Sequence, residues 1–282
     1  MDLCEINCIL ASLGHSSATS AEVFRAEEDN AAYSVWMLDT AEGPVVLKKI
    51  TQQEQAVYEA FFPGGGGVVP KIYGFSQGYM LMEYIPGETL SRCTRQKLIR
   101  TLDALIQTQE QYWENTKLAD VGYSFSKSYS NRQKRLPYME DLGACYEAYL
   151  EEFRTIPRTL CNDDMLPFNV LVSNDRAVIL DWEYGGILPY PCSLARLLAY
   201  GEETEGALFY MTREDQRFAV DYYYENLIRH RGISFEDYLH TMKLFFFKEY
   251  SEWIYCANSS GDRSGEYYIK YSRMARKLAE QL

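Results

Sequence analysis

No C-x-x-C pair occurs among the seven scattered cysteines, and their odd number argues against a zinc site or a secreted disulfide framework. No apolar run approaches membrane-spanning length, and the N-terminal "MDLCEINCILASLG" lacks the basic segment of a signal peptide. The cytoplasm is therefore the expected compartment. Basic residues are outnumbered, 28 against 40 acids, and the net charge of −12 disfavours nonspecific binding to nucleic acid or anionic membranes. Repeats and low-complexity segments are missing as well. What remains is an ordinary globular composition, 47% apolar and 24% charged, over 282 residues. That length fits one large domain or two lobes.

Along the chain, Leu3, Ile6, Leu10 and Leu13 recur at helical spacing, with Gly14 placed as a C-cap. "AAYSVWMLDT" and "PVVLKKI" read as an antiparallel strand pair around the turn "AEGP". "TQQEQAVYEAFF" reads as a helix opened by a capping box, Thr51 with Glu54. "KIYGF" and "GYMLMEYI" resume strand character before "PGETL" breaks it. Residues 1–85 thus form a small strand-rich lobe with one helix, after a short N-terminal one. Residues 86–282 change to helical periods, interrupted near residue 160.

That interruption, "LCNDDMLPFNVLVSNDRAVILDWEYGG", sets five carboxylates against two short apolar strands. A carboxylate against a core is costly unless it is paired or holds a metal. Asp164 and Asn169 stand five apart with Pro167 turning the chain between them. "NVLVSNDRAVIL" reads as a hairpin with turn "SND", which returns Asp181 to the end occupied by Asn169. A carboxylate and an amide oxygen are hard ligands suited to Mg²⁺.

The segment "NDDMLPFNVLV…VILDWE" resembles the H-x-D-x-x-x-x-N motif and D-W-E strand end of the aminoglycoside phosphotransferase and choline kinase-like superfamily. The resemblance implies an α+β, bilobal protein-kinase-like fold. Its N-lobe is a small antiparallel sheet with one helix, and its C-lobe is larger and mainly helical. It implies an ATP- and Mg²⁺-dependent phosphotransferase acting on the hydroxyl of an aminoglycoside-, choline- or sugar-like acceptor. Carried over, Asp164 is the catalytic residue, and Asn169 and Asp181 are metal ligands. Lys48 of "VVLKKI" aligns with the phosphate-contacting lysine, since Lys49 faces the other way. Glu54 is the expected partner of that lysine, with Glu59 as competitor. The main chain of Glu83, Tyr84 and Ile85 resembles the hinge that meets adenine. On the substrate side, Glu249, Glu252 and Trp253 lie close on one long helix and offer charge and a ring face to an ammonium group.

Four departures stand against the family pattern. Asn162 replaces the loop histidine, and Ser193 replaces the aspartate of a later helix that buttresses the loop. No G-x-G-x-x-G is present; "FRAEEDNAAYSV" takes the place of the phosphate-covering loop, with Glu27, Glu28 and Asp29 in it and Asn30, Ala31 and Ala32 behind them. Asp163 beside Asp164 has no family counterpart. These departures sustain an alternative, a catalytically silent nucleotide-binding scaffold of the spore-coat-associated type.

Overall fold

The computed structural model describes residues 1–25 and 30–282. Glu27, Glu28 and Asp29 of the phosphate-covering loop therefore lie outside the described residues. The chain opens with α1 (Leu3–Ser12), where Asp2 and Glu5 exchange hydrogen bonds in a reciprocal capping box. β1 (Ala18–Arg25), β2 (Ala32–Thr40), β3 (Gly43–Lys49), α2 (Gln52–Phe61), β4 (Gly65–Gly66), β5 (Val69–Ser76) and β6 (Tyr79–Glu83) follow. These six strands make one antiparallel sheet in the order β1-β2-β3-β6-β5-β4.

Side chains alternate across this sheet, and the alternation aims the cleft. Val45 and Leu47 of β3 join Ile6, Ile9 and Leu10 of α1 in a core on the outer face. Val46 points the other way and joins Met80, Met82, Val57 and Tyr58 in the main core. Lys48 shares the face of Val46, and Lys49 is exposed.

The second lobe begins with β7 (Glu88–Thr89), α3 (Arg95–Gln111), α4 (Phe125–Gln133), α5 (Gly143–Thr155) and β8 (Arg158–Asn162). Then come β9 (Val170–Val172), β10 (Ala177–Ile179), β11 (Gly185–Pro189), α6 (Pro191–Leu198), α7 (Arg213–Tyr223), α8 (Phe235–Ser260) and α9 (Glu266–Ala279). β9 and β10 form the hairpin expected from "SND", β7 extends it, and β8 pairs with β11. Among the described residues no helix is long and apolar enough to cross a membrane.

Two features escape the periodicity of the sequence. All five residues of β11 are buried, as are four of the five in β8, so neither strand alternates between apolar and polar. In α4 the fully buried residues are the polar Ser128 and Arg132, while the aromatic pair Phe125 and Tyr129 is only half-buried. The close approach of β11 to the turn before α4 depends on glycine: a Cβ at Gly186 would collide with the carbonyl of Tyr123.

Candidate active site

Lys48 reaches across the face between the lobes. Its Nζ lies 2.6 Å from Oε1 of Glu54 and 2.9 Å from Oδ1 of Asp181. Burial disfavours the ammonium, but the two carboxylates outweigh it and raise its pKa. Glu54 is 2% exposed, and burial pushes its carboxyl up against the pull of Lys48. The capping box expected at α2 is half made. Thr51 accepts from the Glu54 N–H, while the Glu54 carboxylate turns away to Lys48. Glu59 instead accepts from Gln55 on the helix surface.

The loop between β8 and β9 is organised by Asn162, which is fully buried. Its Oδ1 accepts from the Asp164 N–H at 2.9 Å. Its Nδ2 donates to the carbonyls of Leu180 and Asp181 at 3.1 and 2.9 Å. The Asn162 N–H in turn donates to Ser193 Oγ at 2.9 Å, and Ser193 Oγ donates back to the Asn162 carbonyl. The two family departures thus meet as one hydrogen-bonded unit. It also supports Asp181 in a left-handed conformation at φ 55°, which an aspartate tolerates better than most residues.

Asp163 and Asp164 have separate partners. Both oxygens of Asp163 accept from Nη2 of Arg132 at 2.7 Å, and Arg132 is 1% exposed, bound to Tyr149 and stacked on Phe153. Asp164 presents Oδ1 to Arg196 on α6, at 2.8 Å from Nη2 and 3.2 Å from Nε. Burial raises the Asp164 carboxyl above its usual range, with Arg196 opposing. Asn169 donates through Nδ2 to the Asp164 carbonyl at 2.8 Å, which commits its nitrogen and leaves its oxygen as the ligand-capable atom.

The acids of α8, expected to receive an ammonium group, are engaged by protein cations in this structure. Glu249 is 2% exposed and accepts from Arg196 Nη1 at 3.0 Å and Lys248 Nζ at 2.9 Å. Burial alone would raise its pKa, but Lys248 and Arg196 hold it down to about 2. Glu252 lies 2.5 Å from Arg135 and 3.6 Å from Lys248. Trp253 stacks on Tyr271 of α9 at 5.7 Å and tilts against Tyr267 at 4.8 Å. Sequence reasoning missed Arg196, the residue that joins Asp164 to Glu249. Its only signal was a basic residue inside an otherwise apolar helix, "CSLARLL".

Between the lobes lies a cleft of ≈ 390 Å³, lined among others by Lys48, Met82, Tyr84, Ile85, Asn169 and Asp181. The Glu83 side chain faces elsewhere: it accepts from the Lys71 N–H and forms a two-point ion pair with Arg176 at 2.7 and 2.8 Å. That pair ties the end of β6 to the β9–β10 turn and leaves the main chain as what the segment offers the cleft. The donor set fits Mg²⁺: an amide oxygen and a carboxylate, both hard, line the same cleft.

Solved structures share this fold. Choline kinase LicA from Streptococcus pneumoniae superposes with a TM-score of 0.63 at 17% identity, covering 99% of each chain. An aminoglycoside phosphotransferase, APH(4)-Ia in ternary complex with AMP-PNP and hygromycin B, superposes with a TM-score of 0.59 at 12% identity over 98% of each chain. In sequence, 147 residues are 24% identical to protein LicA of Haemophilus influenzae, 51% of this chain and 41% of that protein. A second LicA sequence of that species is matched over 52% of its length, so the chain spans about half the length of the curated relatives it matches. The model of the phosphotransferase enzyme family matches residues 15–227, which includes Lys48, the Asn162–Asn169 loop, Asp181 and α6. The chain belongs to the phosphotransferase enzyme family.

Proposed function

We propose that this protein transfers the γ-phosphoryl group of Mg-ATP to a hydroxyl of a small molecule. The observation that carries the reading is the junction at Lys48, where the N-lobe lysine meets Glu54 and Asp181 in one cleft. In this reading the main chain of Glu83, Tyr84 and Ile85 holds the adenine, and Lys48 steadies the α- and β-phosphates. Asn169 and Asp181 hold Mg²⁺, which when bound neutralises phosphate charge. Relatives named for choline kinase activity, and a neighbour solved with AMP-PNP and hygromycin B, support a nucleotide and a small acceptor.

Asp164 is the residue that meets the acceptor hydroxyl. Arg196 occupies its Oδ1, which fixes the carboxylate plane and leaves Oδ2 to accept the hydroxyl proton. Catalysis is then mostly positioning and charge neutralisation, as expected for a loose phosphoryl-transfer transition state. The silent-scaffold alternative rests on four departures together. The Asn162–Ser193 unit, which grips both the Asp164 N–H and the Asp181 carbonyl, accounts for two of them and supports the active reading.

The test is Asp164→Asn. Turnover, read as ATP hydrolysis to water until an acceptor is known, should fall by about 10²-fold or more with nucleotide affinity nearly unchanged. Wild-type protein that binds Mg-ATP yet neither hydrolyses nor transfers it would establish the silent reading instead.

A further inference from the structure

We infer that Glu249 is a positioning residue for phosphoryl transfer, acting on Asp164 through Arg196. The inference rests on the phosphotransfer reading. Glu249 sits on α8, beyond residues 15–227 matched by the family model, so the family pattern does not supply it.

The Arg196 guanidinium stands between two carboxylates and serves them with different edges. Nη2 and Nε donate to Asp164 Oδ1 at 2.8 and 3.2 Å, and Nη1 donates to Glu249 Oε2 at 3.0 Å. Tyr200, just past α6, closes the corner: its hydroxyl accepts from Nη1 at 3.3 Å and donates to the Glu249 carbonyl at 2.9 Å. The other Glu249 oxygen, Oε1, accepts from Lys248 Nζ at 2.9 Å. With a cation on each oxygen and 2% of the residue exposed, the Glu249 carboxylate is held against rotation. A guanidinium is planar and rigid, so holding one edge orients the other.

A structural ion pair does not require this arrangement. Lys248, itself buried, already neutralises Glu249 from the adjacent position. A closed pair would satisfy burial, yet the second cation opens toward the loop and meets the residue assigned to the acceptor hydroxyl. Asp163 and Asp181 also act on Asp164, but each is bound to a different cation, Arg132 and Lys48. Among the described residues, Arg196 is the cation hydrogen-bonded to the Asp164 carboxylate. That side chain is 32% exposed, so packing does not fix its direction and Arg196 does. None of Arg196, Lys248 and Glu249 lines the nucleotide cleft. Releasing Arg196 should therefore slow transfer and spare nucleotide binding, and a misplacement of about 1 Å costs up to about 10²-fold in rate.

The test replaces the buried pair by apolar residues of similar size, Lys248→Met with Glu249→Leu, so that neither charge is stranded. The melt of this variant should stay close to that of wild type. Its kcat for Mg-ATP turnover should fall about tenfold or more, with KM for ATP changed less than about twofold. A purely structural role predicts that turnover follows the melt, so a wild-type kcat in the folded variant overturns the inference. Arg196→Met supplies the second arm, since it leaves Glu249 paired with Lys248. It should lose turnover to a similar degree, and adding the two α8 substitutions to it should cost no more. Losses that multiply mean that Glu249 acts by another route, and they overturn the inference too. If the apolar pair does not fold, Glu249→Gln, assayed well below its melting midpoint, takes its place in the same cycle. Wild-type protein that binds Mg-ATP without turning it over sinks the phosphotransfer reading and this inference with it. That result is distinct from an active wild type matched by an equally active variant.

Discussion

Asp163 and Asp164 are chemically identical neighbours, and their partners divide them. The Asp163 carboxylate is bound at both oxygens by an arginine that is almost wholly buried, so removing its charge strands a guanidinium in the core. Asp163→Asn should therefore lower stability by about 3–5 kcal/mol in a denaturant melt, while the protein that stays folded keeps its turnover. Asp164→Asn should show the reverse pattern, a near-normal melt with turnover lost. If the asparagine at 163 abolishes turnover without moving the melt, the two aspartates have been assigned in the wrong order.

At the scale of elements, β3 converts a two-residue period into function. Lys48 and Lys49 are adjacent, yet one meets Glu54 and Asp181 and the other meets solvent. Lys48→Ala should weaken Mg-ATP binding, read by calorimetry, far more than Lys49→Ala. Equal losses would mean that the charge of the strand matters and its register does not. This register was legible in "VVLKKI", as was the β9–β10 hairpin in "SND", because alternation and turn chemistry are local. Glu54 was ambiguous for a physical reason: a capping acid and an ion-pair acid look alike in sequence, and only the position of Lys48 separates them. The β8–β11 pair was illegible because strands buried on both faces lose their period. Lys248 is a local partner of Glu249 and Glu252, but their pairing with Arg196 and Arg135 spans 53 or more residues of chain, and no local pattern marks such pairs.

Over the whole molecule, the charge network becomes a sensitivity to acid. Glu249 has a folded pKa of about 2, below its unfolded value of about 4.3. The stability it contributes is therefore fully present above about pH 4.3 and lost as pH falls toward 2. Melts of wild type and Glu249→Gln should differ most near neutral pH and converge through that window. A gap that stays constant down to pH 2 would show that Glu249 does not titrate with unfolding. The Glu83–Arg176 pair acts at the same scale, because it joins the last strand of the N-lobe sheet to a turn of the second lobe.

The Asn162–Ser193 unit carries a consequence for how this sequence can change. Position 162 must reach three backbone groups from a fully buried seat, and position 193 must answer its N–H and carbonyl. A histidine at 162 has different reach and a single free donor, and it would meet a serine too short to reposition it. The path to the common family pair therefore runs through a trough: Asn162→His and Ser193→Asp should each reduce melting temperature and turnover, and the double variant should recover part of both losses. A double-mutant cycle reads the coupling directly, and strict additivity would show that the two positions act independently.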